Sequence, residues 1–219
     1  MNKIYGCVNV KRRLHTYKQI KGETLYMKIC VFGSASPTID NEYIKQVEHL
    51  GREMVKRGHS LVFGGGANGL MGAAARGVRD EKGYIIGVIP SFFEDENIEE
   101  VCDFCSEFIE TETMRERKQI MDDNADAFII TPGGIGTYEE FFEILTSKQL
   151  CRHNKPIAIF NIMGYYNELM QVMESAMAKN FIKDNCRELT FISDNLEELF
   201  KYIEAPIEKI RTVKELKDG

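Results

Sequence analysis

The stretch "DAFIITPGGIGTYEEF", Asp126 to Phe141, reads as an apolar strand, a glycine-rich turn and the start of a helix. An unbroken run of apolar and β-branched residues suits a strand covered on both faces of a sheet. Pro132 and the three glycines break that run, and helical spacing begins at Thr137. A strand that passes through a short loop into a helix is the repeating unit of parallel sheets.

The same alternation extends outward in both directions. Strands are expected over 28–33, 60–64, 84–89, 107–110, 126–131, 156–160 and 189–192, with helices over 38–57, 69–80, 114–124, 137–150, 164–179 and 195–204. The fold class that follows is α/β: a Rossmann-like, doubly wound, mostly parallel sheet with helices on both faces. Residues 27–206 form its single domain. Residues 1–26 are a basic, polar extension that the fold does not require, with Met27 as an alternative start, and 207–219 a charged tail or terminal helical turn.

The formal net charge of −6 and a pI near 5.4 argue against a general nucleic-acid or membrane-surface binder, which needs a broad basic field. Neither kind of partner is expected. No apolar run approaches the roughly 18 residues of a membrane span, and the N-terminus lacks a signal peptide's apolar segment, so a cytoplasmic location is expected. The six cysteines suit a reducing compartment. Cys102 and Cys105 make a lone CxxC without the second pair or histidines of a zinc site, so no metal is expected.

Three glycine clusters end separate strands: Gly33 with Ser34, then Gly64, Gly65 and Gly66, then Gly133 through Gly136. Ligands of open parallel sheets bind outside those strand ends. The second cluster contains Gly64-x-Gly66-x-x-Gly69, but it follows the second strand, and the third strand ends in "IGVIP" without the acid of a dinucleotide site. Tight helix–strand packing through Gly72 and the alanines is its structural alternative.

In "TETMRERKQIM", Met114, Met121 and Ala125 line up on one helical face, with Arg117 and Lys118 flanking it. Arg117 either lies along the surface with its head in water or reaches the crevice to grip a phosphate or a carboxylate. Glu140 has two readings as well. Thr137-x-x-Glu140 matches a capping box. Alternatively, Glu140 sits at the edge of a face buried by Phe141, Phe142, Ile144 and Leu145, beside a loop whose N–H groups and helix dipole hold a phosphate.

At these residues the chain resembles the Lonely Guy family of cytokinin riboside 5′-monophosphate phosphoribohydrolases, often labelled possible lysine decarboxylases. The family's PGGxGTxxE stands here as Pro132 to Glu140, and its companion arginine and lysine as Arg117 and Lys118 in "MRERK". The resemblance runs from about Met27 to Pro206 and takes in "GGGANGLMG", "GVIP", "HNKPIAIFN" and "GYYNELM". Arg115 stands where the family often has histidine, and Ser147 where it has tryptophan.

The resemblance implies a Rossmann-like, usually dimeric hydrolase that splits a nucleoside 5′-monophosphate into free base and ribose 5-phosphate, with no cofactor. Arg117 and Glu140 would be its catalytic pair. Gly133, Gly134, Ile135, Gly136 and Thr137 would bind the phosphate, with Met114, Lys118, Gly33, Ser34 and Gly64 to Gly66 completing the substrate site. A non-catalytic nucleotide or molybdenum-cofactor carrier on the same fold is the alternative. A lysine decarboxylase would need a lysine in a recognisable cofactor motif, and none is evident.

Overall fold

A computed structural model describes residues 26–96, 98–207 and 212–217. The expected N-terminal extension therefore lies, but for Tyr26, outside the described residues. The elements run in chain order as β1 (Lys28–Phe32), α1 (Asn41–Lys56), β2 (Ser60–Phe63), α2 (Gly69–Asp80), β3 (Ile85–Pro90) and a short α3 (Phe92–Asp95). There follow β4 (Glu107–Thr111), α4 (Met114–Asn124), β5 (Ala127–Ile130), α5 (Ile135–Gln149), β6 (Ile157–Phe160), α6 (Asn167–Ala178), β7 (Phe191–Ser193), α7 (Leu196–Ile203) and α8 (Val213–Lys217).

All seven strands pair in parallel in the order β4-β3-β2-β1-β5-β6-β7. The sheet is wound outward in both directions from β1, so the strand order reverses between β1 and β5. That reversal leaves a crevice beyond the carboxyl ends of β1, β2 and β5, the strands that carry the three glycine clusters.

Alternation along each strand builds two cores. Ile29, Val31, Leu61, Phe63, Ala127 and Ile129 face α1, α2 and α7. Cys30, Phe32, Val62, Phe128 and Ile130 face the opposite layer, with Met121 of α4 and Phe141 and Ile144 of α5. Because both faces are covered, β5 and β6 are apolar throughout and β1 and β2 are apolar after their first residues, Lys28 and Ser60, which is the pattern that marked them in the sequence. On the outer strand β4, Glu107 and Glu110 are exposed, and charges of this kind discourage a further strand from pairing.

Three helix starts differ from expectation by two residues or more, each for a local reason. Helix α1 begins at Asn41, where the Asp40 carboxylate accepts from the Glu42 N–H at 2.8 Å. Helix α6 begins at Asn167, because Met163 and Gly164 have φ of 53° and 74° and cannot continue a right-handed helix. Helix α5 begins two residues early, at Ile135, with Gly134 in the cap position. Near the C-terminus, α8 is a docked helical turn whose Leu216 packs on Cys186 and Leu189.

Candidate active site

Helix α5 starts without a side-chain cap, so the N–H groups of its first turn have no capping oxygen to accept them. Thr137 lies inside that first turn and is buried, not in the cap position. This overturns the capping-box reading: Glu140 lies in the second turn and cannot reach back as a cap.

The loop before α5 is held from behind. The Tyr165 hydroxyl donates to the Gly133 carbonyl at 2.7 Å, and the Tyr166 hydroxyl to the Thr131 carbonyl at 2.8 Å. The Ser34 N–H donates to the Pro132 carbonyl at 3.1 Å. With its carbonyls occupied on the protein side, the loop turns its other face outward: Gly134, Ile135 and Gly136 are exposed, and a Cβ at Gly134 or Gly136 would meet nothing within 4 Å. Gly133 is different, since a Cβ there would lie 2.1 Å from Thr137 Oγ1.

Helix α2, which follows the other glycine loop, contrasts with α5. Its early N–H groups are taken up by the protein: Leu70 and Met71 both donate to the Ser34 carbonyl, at 2.7 and 3.4 Å. Gly72 lies against the Ala67 carbonyl, 1.8 Å from where a Cβ would stand. At the start of α2 the chain is therefore closely packed, with Gly72 as the residue that permits it. The helix start left without a side-chain cap and open outward is that of α5.

Met114 departs from its expected place, and of the two readings of Arg117 the buried one holds. The predicted stripe put Met114 toward the core with Arg117 beside it, yet Met114 is exposed and Arg117 is only 5% exposed. The surface reading of Arg117 fails for the same reason. Its Nε donates to the Val88 carbonyl at 3.1 Å and its Nη2 to the Gly64 carbonyl at 2.7 Å. The guanidinium lies 5.2 Å from the Phe93 ring centroid, and Nη1 is 3.9 Å from Met114 Sδ. Among the described residues no carboxylate forms an ion pair with it. A buried cation held by carbonyls and left without a counter-ion is costly unless something else supplies the anion.

Glu140 faces the same region and retains partial exposure. Burial pushes its carboxyl up to about 7, with Arg117 pulling it down and Glu139 pushing it further up. A carboxylate so poised near neutrality is typical of acid–base sites. Lys118 is more committed than its motif suggests, for its ammonium bridges Glu139 and Glu143. Burial alone would lower the Lys118 pKa, but these two glutamates raise it overall. Phe142 was expected on the buried face of α5, but it is exposed, while Phe141 and Ile144 are buried.

The remaining expected site residues act through backbone or space. Gly64 gives its carbonyl to Arg117, and a Cβ there would lie 2.0 Å from Nη2. Gly65 has φ of +78°, Gly33 abuts Thr131 Oγ1, and Gly66 faces the Glu99 carboxyl. Sequence reasoning missed Glu99, Phe93 and the two tyrosines. "GYYNELM" was visible as a motif, but nothing in its spacing showed that both hydroxyls brace the loop.

Fold and site together define a doubly wound α/β protein with an open helix N-terminus and, at the switch point, a buried Arg117 in the electrostatic neighbourhood of a partly exposed Glu140. The family described as possible lysine decarboxylase matches residues 71–203, and the chain belongs to it. Two relatives from Arabidopsis thaliana, both named cytokinin riboside 5′-monophosphate phosphoribohydrolase, are 36% and 35% identical; each alignment covers 85% of this chain and 87% of the relative. Among solved structures, a molybdenum cofactor carrier protein from Chlamydomonas reinhardtii is similar with a TM-score of 0.62 at 20% identity, covering 80% of this chain and 94% of that one. A molybdenum cofactor binding protein from Rippkaea orientalis gives 0.59 at 21% identity, covering 84% and 99%. At such identities these two share the fold.

Proposed function

We propose that the protein hydrolyses the N-glycosidic bond of a nucleoside 5′-monophosphate, of cytokinin or simple purine type, to free base and ribose 5-phosphate. The observation that carries this reading is the buried, unpaired Arg117 beside a Glu140 carboxyl poised near neutrality, next to a helix start free of any side-chain cap. The names of the Arabidopsis relatives support it.

Each group has a task in such a reaction. The first-turn N–H groups of α5 take the 5′-phosphate, for which a helix N-terminus is suited. Phosphate binding places the sugar and supplies remote binding energy to the reacting centre. Breaking the C1′–N bond develops positive charge on the ribose, and Glu140 as carboxylate stabilises that charge and activates the attacking water. Arg117 orients Glu140 and contacts substrate. The decarboxylase label fits less well, because a Schiff-base lysine is activated by a lowered pKa, whereas that of Lys118 is raised.

We further infer a cytoplasmic homodimer. The described cysteines are all free thiols, which suits a reducing compartment, and α5 exposes Ile135 and Phe142, apolar side chains that a second copy would cover. The activity is tested by incubating the protein with AMP, isopentenyladenosine monophosphate and the other common nucleotides. Release of free base with ribose 5-phosphate is expected. Nucleotide binding without release from any of them favours a carrier and refutes the hydrolase.

A further inference from the structure

The CxxC in the connection from α3 to β4 has no task in the reaction above, yet it packs against the backbone that holds Arg117. Cys102 and Cys105 flank a turn at Asp103 and Phe104. The ends of such a turn lie within about 7 Å of each other, a span that a disulfide bridges. Cys102 belongs to the core that faces α1, α2 and α7, and Cys105 packs against the same cluster. Both thiols are free and they are hydrogen-bonded to each other.

Each cysteine touches one half of the arginine's seat. The Cys102 N–H donates to the Gly65 carbonyl at 2.8 Å, one residue from the Gly64 carbonyl that takes Arg117 Nη2. Cys105 Sγ lies over Gly87, where a Cβ would stand 2.9 Å from it, one residue from the Val88 carbonyl that takes Arg117 Nε. The CxxC turn therefore bridges the β2 loop and β3, the two places from which the guanidinium is held. Gly66 and Val101, in an isolated antiparallel bridge, tie the same connection to the loop.

The pair is also arranged to react. The hydrogen bond from Cys105 brings the Cys102 thiol down to about 7 against its burial, while the same bond holds Cys105 above its ordinary range. One proton shared between two sulfurs leaves a thiolate near neutral pH, and the thiolate is the form that reacts with oxidants. Cys102 is buried and Cys105 partly exposed. With the shared proton on Cys102, Cys105 is the sulfur that an oxidant meets, and Cys102 stands beside it as the resolving thiol.

We propose that Cys102 and Cys105 are a reversible oxidation site, at which a peroxide forms a disulfide that disturbs the Arg117 seat and turns down base release; this regulation rests on the phosphoribohydrolase reading. The Cys105 thiolate attacks one oxygen of hydrogen peroxide and breaks the O–O bond, giving a sulfenic acid and a hydroxide that takes a proton to become water. The Cys102 sulfur then attacks Cys105 Sγ, forming the S–S bond and expelling the sulfenic oxygen as a second water. Two thiols lose two electrons and two protons, and one peroxide becomes two waters. Replacing the hydrogen bond between the sulfurs by a covalent bond draws Cys105 off Gly87 and shifts Cys102 against Gly65, so the Gly64 and Val88 carbonyls lose their alignment on Arg117. A thiol reductant restores it.

The test uses the full chain with Cys7→Ser and Cys151→Ser, which removes the exposed thiol of Cys151 and that of Cys7 as competing targets. Reduced protein, protein treated with hydrogen peroxide, and treated protein then given dithiothreitol are compared for base release from AMP, AMP affinity and peptide mass. After peroxide the peptide holding Cys102 and Cys105 should be two hydrogens lighter, and base release lower by about tenfold or more, as for a displaced catalytic group. Dithiothreitol should reverse both. Cys105→Ser, and Cys102→Ala, which keeps the buried position apolar, should retain the reduced rate and show no loss that dithiothreitol reverses. Absence of the disulfide from that peptide, a disulfide that leaves the rate unchanged, or the same reversible loss in both variants overturns the proposal. If the reduced protein releases no base, the hydrolase reading fails, and AMP affinity in the two redox states then decides the oxidation site by itself: weaker binding by the disulfide form sustains it, and equal binding overturns it.

Discussion

Arg117 Nη2 donates to the Gly64 carbonyl at 2.7 Å, and a Cβ on Gly64 would stand 2.0 Å from that same nitrogen. The glycine and the arginine are therefore a matched pair, although 53 positions separate them. Gly64→Ala should expel the guanidinium from its seat. Loss of these hydrogen bonds to a charged group predicts destabilisation of about 2–3 kcal/mol, read as a lower melting temperature. Base release should fall by at least about a hundredfold, since sub-ångström placement of such a group governs rate. Activity close to wild type would mean that Arg117 does not need this seat to function.

Glu140 predicts two pH dependences of opposite sense. As the base, it must be ionised, so the rate should fall as pH drops below about 7, where its carboxyl is placed. Stability runs the other way. A carboxyl raised in the folded state holds its proton more tightly there than in the unfolded chain, so its contribution is present at pH 4 and is lost as pH rises through about 7. Glu140→Gln should therefore match the wild type near pH 4 and exceed it at pH 8, by about 2 kcal/mol after allowance for partial exposure. Chemical denaturation at the two pH values measures this; destabilisation at pH 8 would restore a structural role for the glutamate.

Gly136 separates the phosphate loop's binding role from its folding role. A Cβ there meets nothing within 4 Å, and alanine is worth up to about 1 kcal/mol over glycine inside a helix. Gly136→Ala should keep or raise the melting temperature. Side chains lean toward the helix N-terminus, so the added methyl intrudes where the phosphate would sit. KM for AMP should rise by about tenfold or more. A KM within twofold of wild type would place the phosphate elsewhere.

Much of this was legible in the chain because the physics is local. Apolar runs such as Ile129 and Ile130 lie on central strands buried on both sides, and a strand of that kind carries its own signature. The glycine clusters fall at the switch point for the same reason: short loops between buried strands and helices need residues that turn sharply. Thr137 was harder, because a capping-box pattern is a local rule, while the start of α5 is set by Tyr165 and Tyr166 gripping the loop from 32 and 35 positions away.

Arg117 shows the same limit. A helical wheel puts it beside the core stripe, but its burial depends on carbonyls from β3 and the β2 loop. Glu99 lies in no motif. It reaches the crevice only because the long connection into β4 folds back across Gly66, a relationship that no spacing within one segment encodes.

If Arg117 and Glu140 act together on a phosphate-anchored nucleotide, free base and ribose 5-phosphate should both appear when AMP or isopentenyladenosine monophosphate is supplied, and both products can be quantified. The wild type, Arg117→Ala and Glu140→Gln are compared at pH 8. The wild type should release both products stoichiometrically, each variant should lose about a hundredfold or more, and Glu140→Gln should still bind nucleotide. Wild-type rates in Glu140→Gln, or no release by the wild type from either nucleotide, would contradict this joint action.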